Sequence, residues 1–213
     1  MKMRFLFRAL RVRYRDQRQE IATVLSALRP GDAAADIGSH KGAYVYWLRH
    51  AVGSGGKVFA FEPQASLAAY LESACAAMCW SNVWVNGCAL SDHEGTATLH
   101  VPGTGTSPGA SLRKPGPEST VAGRSQLCRV DTLDHVLSGE TGLKFMKIDV
   151  EGHELQVLRG AQETIARNAP VILFECEARH LTNTLMAQVF AFLQERERNV
   201  PGNVRALRQK QVG

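Results

Sequence analysis

No stretch of the sequence runs apolar for the roughly 18 residues that a membrane-spanning helix needs. The opening MKMRFLFRALRVRYRDQRQE is broken by arginine every few positions and so lacks the apolar core of a signal peptide. Cysteine is scarce: five residues, at 75, 79, 88, 128 and 176, an odd number with no CxxC pair. That spacing argues against a disulfide framework and against zinc, and the thiols read as free groups packed in a core within a reducing compartment. The GxGxxG turn of dinucleotide-binding proteins is missing too, because histidine stands at position 40 where its second glycine belongs. An NAD-dependent oxidoreductase is disfavoured accordingly. The arginines cluster at the two termini with no nucleic-acid-binding motif in support, which ranks nucleic acid last among partners. With no export or anchoring signal, the expected location is cytoplasmic.

What the sequence does contain suffices for one domain. Its 213 residues, 45% hydrophobic and 21% charged, can bury a substantial core, and the net charge of +5 favours anionic partners without choosing among them. Residues 1–30 read as a basic helical segment. In it Phe5, Leu6, Leu10 and Val12 sit among arginines, giving a solvated amphipathic helix for which peripheral membrane contact stays open. Ile21, Val24, Leu25 and Leu28 recur at helical spacing until Arg29-Pro30-Gly31-Asp32 stops the run.

From residue 31 to 198 strands and helices alternate. Strands are expected at Ala33 to Ile37, Lys57 to Phe61, Val83 to Leu90, Phe145 to Val150 and Pro170 to Glu175, with helices at Tyr44 to Val52, Leu67 to Met78, Leu155 to Asn168 and Leu185 to Glu195. Such alternation implies βαβ units and a mostly parallel sheet, a Rossmann-like α/β fold. Thr96 to Val101 alternates like an added strand, and the Gly/Pro/Ser-rich stretch 102–126 is expected to be a flexible flap near the substrate. Residues 199–213 form a polar, basic tail without strand alternation.

Three places carry chemistry. Asp36-Ile37-Gly38-Ser39-His40-Lys41-Gly42 puts an acid at the end of the first strand with glycines around the turn. Gly38 is expected to let a ligand approach backbone donors, Gly42 to let the next helix pack, and the acid to hold a cationic amino group. Glu62 closes the second strand, where a carboxylate can accept two ribose hydroxyls. Asp149-Val150-Glu151-Gly152-His153-Glu154 follows a buried strand, so its side chains project at the ligand-binding edge of the sheet. Asp149 and His153 are candidate bases for a hydroxyl proton, although acids such as Glu151 and Glu154 also suit the first turn of a helix without any function. Glu175, Glu177, Arg179 and His180 follow the fifth strand as candidate substrate contacts. With Asp149 and Glu151 they could also gather a divalent cation, but the reading adopted is free of metal.

The chain resembles the FkbM-like methyltransferases through DIGSHKG at 36–42, FEP at 61–63, ALSD at 89–92, TLD at 132–134, KIDVEGHELQVLRGA at 147–161 and FECEARH at 174–180. The resemblance implies a class I methyltransferase fold and S-adenosylmethionine as donor. It also implies O-methylation of a sugar, glycolipid or secondary metabolite. It puts Asp36, Gly38, Gly42 and Glu62 around the cofactor, Ala89 and Leu90 near its adenine and Asp149 near the transferred methyl; Ser39, in the same turn, is a further cofactor candidate, and Glu151, Glu175 and His180 are the substrate-side candidates from their places after the strands. Two departures stand out: Ser39-His40 replaces the family's usual Ala-Asn, and residues 196–213 do not read as the strand pair that closes this fold. The strand from Val171 would then be a bare edge, which invites homodimerisation. A catalytically degenerate adenosine-ligand-binding module of the same fold is the alternative reading.

Overall fold

The computed structural model describes residues 2–114, 122–174, 187–189, 191–194 and 206–208. The chain opens with helix α1 (Lys2–Arg11), a π-helical turn (Val12–Asp16) and α2 (Arg18–Ala27). Then come β1 (Ala33–Ile37), α3 (Ala43–Val52), β2 (Lys57–Phe61), α4 (Ala65–Ala77) and β3 (Val83–Asn86). After the short strands β4 (Ala89–Leu90), β5 (Gly95–Pro102) and β6 (Gly123–Asp131) the chain continues through α5 (Leu133–Val136), β7 (Leu143–Ile148), α6 (Glu154–Arg159), α7 (Gln162–Asn168), β8 (Val171–Phe174) and β9 (Ala206–Arg208). The main sheet has the order β3-β2-β1-β7-β8-β9 and every pairing in it is parallel.

Strand β1 is buried along its whole length, which explains its run of small apolar residues, and its side chains divide by the two-residue period of a strand. Ala33, Ala35 and Ile37 join a core with Met146, Ile148 and the helices α6 and α7; Ala34 joins one with Trp47, Leu48 and α2 on the opposite face. The sheet is therefore covered on both sides, and the expected doubly covered α/β fold is what forms.

Several expectations are corrected. The stretch Val83 to Leu90 is two strands, because β4 leaves the main sheet after Asn86 and enters a second one of order β4-β6-β5. The flap region ends sooner than expected: β6 begins at Gly123 and pairs antiparallel with β5 from Pro102↔Gly123 to Gly95↔Val130. The exposed first half of β6 carries Gly-Arg-Ser-Gln and shows no apolar alternation, so only the pairing reveals it. The helix expected over Leu155 to Asn168 is broken at Gly160, where a Cβ would stand 1.9 Å from the Ser91 carbonyl oxygen. Past that break the Asp134 carboxylate accepts the Glu163 and Thr164 amides (3.0 and 2.7 Å), capping α7, and Thr132 caps α5. The TLD motif thus works as a pair of caps.

Strand β8 is not a bare edge either. Ala206–Arg208 pairs with it in parallel, Ile172↔Ala206 to Phe174↔Arg208, so among the described residues a short parallel strand covers that edge. Main-chain hydrogen bonds at such an edge need no apolar alternation, and the polar tail concealed it. The four described cysteines are free; Cys75, Cys88 and Cys128 are buried, whereas Cys79 lies exposed just past the end of α4 and does not pack.

The basic N-terminal helix is not simply solvated. Phe5 is 1% exposed and meets Tyr46 and Trp80 edge-on at 6.3 and 5.9 Å, while Trp47 donates its indole N–H to the Ala9 carbonyl at 2.8 Å. Gly42, at φ +75°, makes the seat, since a Cβ there would come within 2.8 Å of the Phe5 ring and 2.4 Å of Leu71. Replacing Phe5 by alanine should cost about 3–5 kcal/mol in urea unfolding. A loss below about 0.5 kcal/mol, the scale of surface substitutions, would show that α1 is not docked.

Candidate active site

The carboxyl ends of β1, β2 and β7 meet around a cleft of about 290 Å³. Gly38, at φ +83°, is glycine because a Cβ there would lie 1.9 Å from the Asp149 carbonyl oxygen. The close approach it permits is to the chain itself, and Gly38 also lines the cleft. The amides of the turn are likewise spent internally: Gly38 and Ser39 donate to the Phe61 carbonyl (both 3.0 Å), His40 to Glu62 Oε2 (2.7 Å) and Gly42 to the Ser39 carbonyl (2.8 Å). Ser39 is buried, with its hydroxyl bonded to the Asp36 carbonyl at 2.7 Å.

Glu62 is 3% exposed, and each of its oxygens accepts one backbone amide, Oε2 from His40 and Oε1 from Gln64 (2.9 Å). Burial pushes its carboxyl up, and these two amides oppose the shift. A carboxylate so held keeps lone pairs for two more donors, as a ribose diol would supply. Beside it the cleft is apolar: Phe61, Cys88, Ala89, Leu90 and Leu99 make a floor suited to a flat aromatic base.

Ser107, Pro108, Ala110, Ser111 and Leu112 of the Gly/Pro/Ser-rich insertion line the same cleft. They are fastened by reciprocal bonds between the Gln64 side-chain amide and the Ser107 backbone (2.9 and 3.0 Å), by the Ser111 hydroxyl on the Glu151 carbonyl (2.8 Å), and by a Ser111–His100 backbone bridge. Sequence reading missed Gln64, Ser107 and Ser111 as site residues. Nothing in the sequence signals them, since their partners lie 40 or more positions away.

A charged cluster lies at the inner end of the cleft. Lys147 is buried in β7 directly beside Asp36 of β1 in the strand register. Its ammonium sits 2.9 Å from Asp149 Oδ2, 3.8 Å from Asp36 Oδ1 and 4.8 Å from the Tyr44 ring centre. Burial alone would lower this lysine, but Asp149 and Asp36 outweigh it and hold it above its usual range. Lys147 thus stays a cation and cannot serve as a base. Asp36 is pushed up by burial first and by Asp149, against the pull of Lys147 and smaller pulls from Ser39 and the Val45 amide, and neither carboxylate oxygen makes a well-formed hydrogen bond among the described residues. A buried acid whose cation stands back at 3.8 Å suits a further cationic amino group, which fits the amino-acid end of S-adenosylmethionine.

A second cavity of about 350 Å³ lies against α1 and the π-helical turn, with Asp36, Lys41, Lys147, Arg8 and Arg11 on its walls. Gly38, His40 and Asp149 line both cavities and mark their junction. His153 lines only the cleft, and its Nε2 is 2.9 Å from the Ser91 hydroxyl; burial lowers its basicity, with Asp92 opposing. Glu151 also lines the cleft, from a left-handed backbone at φ +55°. Glu175 and His180, with Glu177 and Arg179, lie outside the described residues. Among the described residues the group of three His, Cys, Asp or Glu side chains whose ligand atoms all fall within 4.8 Å of one another is Glu94, Asp131 and His135, and none of them lines either cavity.

The sequence profile of a family described as "Methyltransferase FkbM domain" matches residues 36–199. Among solved structures the chain is similar to an FkbM methyltransferase from Methylobacillus flagellatus KT, at 19% identity over 91% of this chain and 48% of that one, TM-score 0.52. It is also similar to a candidate rRNA-methylase from Clostridium thermocellum, at 12% identity over 83% of this chain and 77% of that one, TM-score 0.50. At these identities the likeness is one of fold, and the chain spans about half the length of the Methylobacillus protein. No curated protein matches it.

Two outcomes follow from the charges. Lys147→Met should destabilise the fold by about 3–5 kcal/mol in urea, because two carboxylates are left without their cation; adding Asp36→Asn should recover part of the loss, and simple additivity of the two would contradict the coupling. The His40 imidazole is held down to about 4 by burial first and then by Lys41, against Asp149. A histidine depressed when folded binds its proton more readily when unfolded, so the stability present above pH ~6.5 is lost as the pH falls toward ~4. His40→Asn, which tolerates the left-handed φ of +46° at that position, should flatten the fall in Tm between neutral pH and the acid side of that window.

Proposed function

Since the chain belongs to the FkbM family of S-adenosylmethionine-dependent methyltransferases, we propose that it methylates a hydroxyl oxygen of a sugar, glycolipid or secondary metabolite. The observation that carries the reading is Asp149, a part-exposed carboxylate at the junction of the two cavities, held on one oxygen by Lys147. In this reading Glu62 holds the ribose diol, Ala89 and Leu90 pack against the adenine, and Asp36 faces the amino group, with Gly38, Ser39 and Gly42 shaping the turn.

When bound, S-adenosylmethionine supplies a methyl carbon already activated by a sulfonium. The chain's own contribution is alignment, exclusion of water and a place for the acceptor's proton. Asp149 takes the hydroxyl proton as the new C–O bond forms and the C–S bond breaks, then returns it to solvent. Lys147 fixes the carboxylate's orientation and keeps a positive charge beside it throughout. His153 is the less suitable base because its Nε2 is engaged by Ser91. Glu151 borders the acceptor side; Glu175 and His180, outside the described residues, stay the sequence's other candidates for it. A cytoplasmic, metal-independent enzyme is the accompanying expectation; among the described residues no helix is long and apolar enough to cross a membrane.

The test is calorimetric titration with S-adenosylhomocysteine, paired with transfer of labelled methyl to a panel of hydroxylated glycans and lipids. Glu62→Ala should lose binding. Asp149→Asn should keep binding within a few-fold while transfer falls by roughly 10²–10⁴. Binding without transfer to any acceptor by the unaltered protein would instead favour the degenerate binding module, and folded protein that binds no S-adenosylhomocysteine would overturn both readings.

A further inference from the structure

Helix α1 is docked by one face only. Phe5 and Ala9 are buried against α3 and α4, yet on the other side Met3, Phe7 and Leu10 are 78%, 68% and 37% exposed, and Tyr14 in the π-helical turn is 64% exposed. Positions 3, 7, 10 and 14 follow the i, i+4, i+7, i+11 spacing that lines up on one stripe of a helix. These four residues supply most of the large exposed apolar side chains among the described residues, the others being Trp84 and Leu127 on strands. A stripe of this kind, gathered on one element, is a surface that meets something.

Charge says what it meets. Residues 2–18 hold seven lysines and arginines, Lys2, Arg4, Arg8, Arg11, Arg13, Arg15 and Arg18, against one acid, Asp16. Lys2, Arg4 and Arg15 are exposed on the same segment and Arg18 at the start of α2, while Arg11, also exposed, is held by Asp16 at 2.9 Å. A second copy of the chain is a poor occupant, because a symmetric contact would bring the two sets of cations together around its apolar centre. An aqueous acidic protein would answer the arginines but has no need of Phe7 and Met3 standing out between them. An anionic bilayer answers both: headgroups meet the cations, and the acyl boundary takes the apolar stripe of a helix lying in the interface plane.

We propose that α1 seats this protein on the surface of an anionic phospholipid membrane, with Met3, Phe7, Leu10 and Tyr14 entering the headgroup boundary and the flanking arginines contacting phosphates. This contact is independent of the transferase reading, since it rests on the outer face of α1 and not on the cleft. It needs no spanning segment and accounts for apolar side chains that the core leaves outside.

The full chain is tested by co-sedimentation with vesicles of equimolar phosphatidylcholine and phosphatidylglycerol, and with vesicles of phosphatidylcholine alone. The expected result is binding to the anionic vesicles, weaker by roughly tenfold or more on the neutral ones and in Phe7→Ser/Leu10→Ser. That variant should keep its Tm and its affinity for S-adenosylhomocysteine, so lost sedimentation reports the stripe and not unfolding. Three results would overturn the proposal: no sedimentation with anionic vesicles, equal sedimentation on both lipids, or undiminished binding by the variant. A dimer that binds no vesicle and falls apart in the variant would assign the stripe to a second copy instead.

Discussion

A lysine ammonium buried between two carboxylates, at the point where the central strands end, organises the molecule. Lys147 faces Asp36 across the β1–β7 register, and Asp149, just past the end of β7, supplies the second carboxylate. Removing Lys147 and Asp36 from water is costly, and the arrangement persists because the ammonium is answered by both Asp36 and the part-exposed Asp149. A one-residue slip between β1 and β7 would turn Lys147, together with Asp149 two residues on, away from Asp36 and strand that acid, so the pairing that satisfies Asp36 also specifies the register. The Asp149 amide on the Ile37 carbonyl (2.9 Å) and the absent side chain at Gly38 bring the two strand ends close enough for this to happen.

From that cluster the site extends in two directions. Toward β2 the turn after β1 is held by its own amides, which donate to Phe61 and Glu62, so the cleft wall is preorganised before any ligand arrives. Toward α1 the cations Arg8, Arg11 and Lys41 face Asp36 and Asp149 across the second cavity. The small sheet of β4, β5 and β6 adds the remaining wall. Its insertion is pinned by Gln64 and by the Glu151 carbonyl, so the part of the chain with the least regular sequence is tied directly to the cleft.

The N-terminal helix joins these themes. Its inner side is fixed by aromatic packing over Gly42, and its arginines take part in that packing: Arg8 bonds the Tyr70 hydroxyl at 2.8 Å and Arg13 lies 4.9 Å from the Trp47 ring centre. Guanidinium groups can pack on rings while keeping their charge hydrated, which lets one short helix be structural on one side and strongly basic on the other.

The order of strands and helices in the main sheet was legible in the sequence, because buried strands and their covering helices impose apolar periods that survive without knowledge of partners. Asp36, Glu62 and Asp149 were legible for a related reason: each closes a buried strand, and in a parallel sheet the strand ends converge at one edge. Local sequence could not reveal what depends on the approach of distant segments. The break at Gly160 answers the Ser91 carbonyl, Gly38 answers Asp149, and Ser111 answers Glu151, contacts that exist only once the chain has folded. Strands β6 and β9 form through main-chain pairing that leaves little mark on side-chain pattern. Lys147 stood within a recognised motif, but its pairing with Asp36 arises from strand register, and register is decided by the packing of the whole sheet.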